Sequence, residues 1–297
     1  MSIILDPSVS LTSTVDGKRR RKDMLFLALL WFGILLAVVT LVVLLVDTFL
    51  TGRSRLNWEF LSGHTSPFAE DAGVQSAIFG SLWVVLPAGI SSLLIAIGTA
   101  AYLEEFTKPE SKVQAFINLT IQTLAGVPSI VYGILGLAFV ARGPLDWGFT
   151  VRTASVVLAM MILPVMIVAS REAIRAVPSS YREGAFALGC SRWQCVRQQV
   201  LPAAVPGIAT GSILGVSRAL GESAPLIMLG ALAYVSSNPT GFGDYYTVLP
   251  LSIYKYATEA DSEFQYAAAG AIIVLLAMLL VLNFTAIVIR DRSRKSL

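Results

Sequence analysis

Charge is scarce in this sequence. Only 14% of its 297 residues are Asp, Glu, Lys or Arg, against 55% hydrophobic residues and a mean hydropathy of +0.72. A soluble domain of this length needs a charged surface, so the composition indicates an all-α integral membrane protein. Histidine and cysteine are nearly absent: His64 stands alone in a polar loop, and the two cysteines are Cys190 and Cys195. No His/Cys/carboxylate cluster at ligand spacing is present, so no metal site is expected. Both cysteines fall in a segment assigned below to the cytoplasm, where free thiols are expected rather than a disulfide. The sequence also lacks G-x-x-x-x-G-K-[ST], so the chain is expected to bind no nucleotide cofactor itself.

What the sequence has is long uncharged runs. A spanning helix needs about 20 mainly apolar residues. Met24–Val46, Ala72–Leu103, Val113–Ala141, Thr153–Ser170, about Val205–Leu232 and Phe264–Ile289 meet that requirement, which predicts six transmembrane helices. The first follows Lys18-Arg19-Arg20-Arg21-Lys22 but is too long for a signal-peptide core and has no small-residue cleavage site before Asp47. Sixteen of the 22 Lys and Arg residues fall in the amino tail, the 104–112 linker, the 171–197 loop and the carboxyl tail. Basic residues near span ends are retained in the cytoplasm, so both termini are expected there, and the +3 net charge reads as topology, not as a nucleic-acid footprint. The organisation expected is a tail at 1–23, a first span with its outer loop at 24–71, a main domain at 72–290 with a cytoplasmic loop at 171–204, and a tail at 291–297. The outer stretch 233–267 carries six of nine tyrosines, the usual mark of an interfacial belt, with a docking or re-entrant element as the alternative.

The cytoplasmic loop reads VPSSYREGAFALGCSRWQCVRQQVLPAAVPG from Val177. Ser180 and Glu183 have capping-box spacing, Gly189 stands where a left-handed helix-ending residue is wanted, and Ser191 with Gln194 forms a second box. A helix of one to two turns follows, offering Tyr181, Ala185 and Leu188 as one face and needing something to pack against. Glu183, Ala185, Gly189 and, after nine residues and one further pair, Leu201-Pro202 resemble the EAA loop of permease subunits of bacterial ABC importers, with Gly184 and Gln199 departing from the consensus. The resemblance implies a type I ABC importer permease fold. It also implies that this loop, with Glu183 as anchor, docks on a separate ATPase that holds ATP and Mg.

Arg218 and Glu222 lie inside the fifth apolar run. Each ionised side chain at mid-membrane costs about 2.5–3.5 kcal/mol on insertion scales, so neither is expected to face lipid. Four apart on a helix they can pair. They either fix helix register as a buried ion pair or line a polar path. Gly207, Gly211, Gly215 and Ala219 recur every fourth residue, a ribbon that admits a close neighbouring helix. Pro225 removes the amide that would reach the Gly221 carbonyl, which predicts a local break. A broken span beside an arginine suits an oxyanion, because the guanidinium fork gives two parallel hydrogen bonds and stays charged when dehydrated. Pro128, Ser129 and Tyr132 are weaker candidates, read first as a kink whose freed carbonyl finds a hydroxyl.

RALGESAPLIMLGA from Arg218, LAGVPSIVYGILGL from Leu124 and TVLPLSIYKYA from Thr247 resemble PstA-type permeases of bacterial phosphate importers, with Ser223, Ala224, Pro225 and Leu226 separating them from the PstC type. The likeness covers about residues 72–290. It implies a substrate path at Arg218, Glu222, Ser223 and Pro225, and an ATPase-coupling element at Ser180, Glu183, Ala185, Leu188 and Gly189. The partners implied are a PstC-like homologous subunit, PstB-like ATPase subunits, an extracytoplasmic phosphate-binding protein and membrane lipid. Another oxyanion (phosphonate, sulfate or molybdate), a membrane-embedded lipid enzyme, and a sensor or scaffold are the alternatives.

Overall fold

The computed structural model describes residues 17–107, 111–231 and 234–295, and every regular element among them is helical. The first sixteen residues of the amino tail, Lys108 and Glu110 of the linker, and Leu232 and Ala233 lie outside the described residues. By length and apolarity, Lys22–Gly52, Gln75–Phe106, Val151–Arg175, Arg192–Gly221 and Glu263–Val288 can each cross a membrane. The predicted count of six is reached only when Gln114–Ala125 and Ser129–Ala141 are taken as one span, bent by 99°. The third run is therefore not one straight helix.

Residues up to Thr48 form a compact unit of their own. They belong to α1 (Gly17–Gly52), whose side chains from Met24 to Val46 are exposed on every face. A helix apolar all round is stable only in hydrocarbon or against another protein.

The second unit, from Phe49, is built on α3 (Gln75–Ala101), α6 (Val151–Arg175) and α9 (Leu201–Gly221). Small residues let these helices approach. Cβ atoms placed on Gly207 and Gly215 would stand 2.7 Å from the Ala173 Cβ and the Met166 Cε, and one on Gly211 would collide with the Ala169 Cβ. The glycine ribbon of α9 therefore seats on α6, as its spacing suggested. On the other side of α6, the Ser92 hydroxyl of α3 donates to the Ala159 carbonyl at 3.0 Å. Leu158, Ile162 and Met166 fill the space between as fully buried side chains.

α11 (Leu249–Thr258) and α12 (Glu263–Lys295) complete the unit beside a short helix α2 (Trp58–Ser62). Here the tyrosine-belt expectation needs correcting. Tyr246 and Tyr256 are core residues, 3% and 1% exposed, and the Tyr256 hydroxyl donates to the Gly73 carbonyl at 2.7 Å. Tyr245, Tyr254 and Tyr266 keep the exposed position that a belt requires. The Tyr234 hydroxyl donates to Glu259 at 2.8 Å, and burial together with that carboxylate pushes its pKa up to about 12.

Candidate functional site

Two broken helices meet in the second unit. α4 (Lys112–Ala125) ends at Gly126, and α5 (Ser129–Leu135), continued by a π-helical turn Gly136–Ala141, sets off in a new direction. Pro128 precedes α5 with extended backbone, because its ring cannot continue a helix from Ala125. The bend leaves carbonyls without helical partners. The Tyr132 hydroxyl donates at 2.9 Å to the carbonyl of Leu124, which also accepts from the Val127 amide at 3.1 Å. A hydroxyl does relieve the break, but it is Tyr132 and not Ser129 that supplies it.

The second break follows α9. The fifth run was expected to be one span with a local break where Pro225 deprives the Gly221 carbonyl of its amide. There α9 stops at Gly221, Glu222 is extended (φ −80°, ψ 125°), and α10 (Ala224–Met228) restarts with Pro225 in its first turn. The physical reason is the proline ring, which clashes with the carbonyl four residues back, that of Gly221. A proline in a first turn lacks only an amide that would have no helical acceptor there.

The breaks touch. A Cβ on Gly133 of α5 would lie 2.6–3.0 Å from backbone atoms of Pro225, so the two motifs singled out in the sequence are packed backbone to backbone. Arg218 sits in the last turn of α9, one turn before the break. Its Nε donates to Glu222 Oε1 at 3.2 Å, its side chain is 47% exposed and that of Glu222 is 20%. The pair predicted from i, i+4 spacing forms although Glu222 has left the helix. Ser223 is partly buried and Pro225 buried. A groove of about 600 Å³ runs between α3, α9 and α12, lined by Leu93, Val205, Ile213 and Leu282 among others. Arg218 is not among its lining residues.

The segment after α6 is built differently. α7 (Ser179–Ala187) starts after an extended Pro178, with no side-chain cap. The expected capping box at Ser180 and Glu183 is therefore absent: Pro178 starts the helix two residues early, and Ser180 lies inside the first turn. Gly189 does end this element in the left-handed conformation (φ +78°), and Ser191 with Gln194 makes the second capping box, opening α8 (Arg192–Cys195). Of the face read from spacing, only Ala185 is turned inward. Leu188 is 87% exposed, and Tyr181, Glu183 and Phe186 are exposed as well.

Beneath α7 lie charge pairs that sequence reading counted only as sidedness signals. Glu104 accepts from Arg171 and Arg175 at 2.7 and 2.9 Å, and Glu105 accepts from Arg182 at 2.6 Å. Arg171 also bonds to Asn118 of α4. Two carboxylates in succession at the end of a long uncharged run were the available signal.

This arrangement has relatives. Residues 92–294 match the family of binding-protein-dependent transport system inner membrane components. A probable ABC transporter permease protein, YqgI, of Bacillus subtilis is 32% identical over 76% of this chain and 77% of its own length. The phosphate transport system permease protein PstA 1 of Mycobacterium tuberculosis is 34% identical over 73% of this chain and 70% of its own length. Among solved structures, the inward-facing MetNI methionine ABC transporter superposes with a TM-score of 0.61 at 17% identity, covering 73% of this chain and 94% of the other. A bacterial importer of the acidic polysaccharide alginate gives 0.57 at 14%, covering 91% of this chain and 97% of the other. The helices that carry the two touching breaks, and the exposed face of α7, thus lie within the matched span: this chain belongs to the family of inner membrane components of binding-protein-dependent transport systems, as a permease of the ABC importer fold.

Proposed function

We propose that this permease passes inorganic phosphate inward through a path beside Arg218, as one half of a heterodimer driven by a separate ATPase. The observation that carries the reading is the contact of two span breaks at Gly133 and Pro225, with an arginine one turn away on a half-exposed surface. Breaks supply backbone groups, and a half-exposed guanidinium leaves donors for an oxyanion. Glu222 holds Arg218 in place and competes with the anion, which keeps binding reversible. Ser223 and Pro225 shape the same path. Relatives carrying phosphate-transport names, including a probable PstA of Methanocaldococcus jannaschii that is 29% identical over 88% of this chain, support phosphate as cargo.

In this reading both termini are cytoplasmic and α7 faces the ATPase, with Glu183 and Leu188 on the docking side and Ala185 and Gly189 setting its seat and end. A PstC-like subunit forms the other half, PstB-like subunits hold ATP and Mg, and an extracytoplasmic binding protein delivers phosphate. The chain itself contributes no catalytic group.

ATP-driven uptake of labelled phosphate by the reconstituted complex tests this. Arg218→Ala is expected to lower uptake at least about tenfold while the ATPase still copurifies. Unchanged flux refutes the path. Competition with sulfate, molybdate and phosphonate decides the cargo: any of these displacing phosphate at equal concentration reassigns the importer to that anion.

A further inference from the structure

Four consecutive residues at the end of the second span hold four different helices. Tyr102–Phe106 continues α3 as a π-helical turn, a rare geometry often found at functional positions. The Leu103 carbonyl accepts from Gln114 Nε2 of α4 at 3.2 Å. Glu104 accepts from Arg171 and Arg175 of α6, and Glu105 from Arg182 of α7. The Phe106 ring centroid lies 6.4 Å from that of Trp193 in α8. Successive helical side chains point roughly 100° apart or less, so Glu104, Glu105 and Phe106 reach three different neighbours while the Leu103 carbonyl serves a fourth.

The link to α7 runs through a single arginine. Arg182 reaches Glu105 through Nε at 3.0 Å and through a terminal nitrogen at 2.6 Å, and it donates to the carbonyls of Val177 and Ile174 at 2.8 and 3.1 Å. The Glu105 side chain is 9% exposed and that of Arg182 22%. Charge-assisted bonds of this kind are short, strong and fixed in direction, and removing one partner leaves a buried charge alone. The opposite face of α7, with Glu183, Gly184 and Ala187, is exposed. A force applied to that face reaches α3 through Arg182, and reaches α6 and the segment 192–204 through Arg182, the packing of Ala185 and the chain on either side.

We propose that the turn Tyr102–Phe106 is the lever that carries movement of α7 into α3, with Arg182 and Glu105 as its positioning pair. This rests on α7 being the helix that meets the ATPase. α7 and the end of α3 then move as one body, and α3 transmits the shift along its packed length to α6.

The test uses the reconstituted complex with a nitroxide at position 79 (Phe79→Cys, in a background with Cys190→Ala and Cys195→Ala), on an exposed site of α3 remote from the turn. ATP is expected to change the label's mobility in the parent. Arg182→Glu and Glu105→Arg each abolish that change with the ATPase still bound, and exchanging the two charges restores at least half of it. A response that persists in either single variant, or does not return in the exchanged pair, overturns the proposal. Should a single variant fail to assemble, a second measurement decides: Glu105→Cys and Arg182→Cys are bridged by a short bis-methanethiosulfonate, and ATP-driven transport is followed without the label. Transport within about twofold of the unbridged protein supports rigid movement, and loss reversed by reductant overturns it. If the parent responds to ATP but moves no phosphate, the cargo is wrong and the lever stands.

Discussion

Two sets of opposite charges occur at the ends of membrane-length helices, and they follow opposite plans. Glu104 and Arg171 are 13% and 11% exposed, joined at 2.7 Å, and reinforced by Arg175 and Asn118. Arg218 and Glu222 are 47% and 20% exposed and joined by one bond at 3.2 Å. The first set shares several short bonds among three side chains around Glu104. The second leaves most guanidinium donors uncommitted. A charge that clamps is enclosed and bonded several times over, whereas the path proposed for Arg218 requires one held loosely.

The sharpest way to break this contrast is Glu104→Leu. It strands Arg171, almost wholly enclosed, and takes from Arg175 its bond to α3. Losing one member of a buried pair costs about 3–5 kcal/mol, so the detergent-solubilised protein is expected to melt well below the parent. Arg218→Ala, at an exposed pair, is expected to lower stability by less than about 1 kcal/mol while uptake collapses. Equal melting shifts for the two variants would end the comparison.

The next effect tests the bend that lets α5 reach Pro225. Tyr132→Phe removes one of the donors to the Leu124 carbonyl while keeping the 6% exposed ring in place. The carbonyl keeps its bond from the Val127 amide, so the expected loss is that of one ordinary hydrogen bond, about 0.5–1.5 kcal/mol, with faster amide exchange confined to 124–132. A melting curve and exchange pattern equal to the parent's would show that the bend is held by packing alone.

How much of this was legible depends on whether a residue's cost could be read without its neighbours. The ribbon Gly207, Gly211 and Gly215 was, since only a close helix explains small residues at every fourth place. Arg218 and Glu222 were, because charge in an apolar run demands a reason. The 99° bend was not: residues 113–141 are uncharged throughout, and hydropathy cannot tell one long helix from two short ones. The break at Gly221 was legible, because Pro225 acts on the carbonyl four residues upstream of itself. The box at Ser180 was misplaced, as Pro178 had already started α7. Glu104 and Glu105 were counted with a linker, since nothing local announces arginines 67 and 77 residues away.

The smallest effect sharpens the contrast most directly. A double-mutant cycle on stability with Arg218→Ala and Glu222→Ala is expected to give a coupling below about 1 kcal/mol, as for exposed pairs that hold two flexible side chains in one geometry. The same cycle with Arg171→Ala and Glu104→Ala should give at least about 2 kcal/mol, because each single change there leaves a dehydrated charge. Salt separates them further. Raising ionic strength from 0.01 to 1 M shortens the screening distance from about 30 to 3 Å, which weakens the exposed pair and barely touches the enclosed one. Were Arg218 and Glu222 to couple as strongly as the buried set and resist salt, the guanidinium would be committed to its carboxylate, and no donor would remain for an ion in transit.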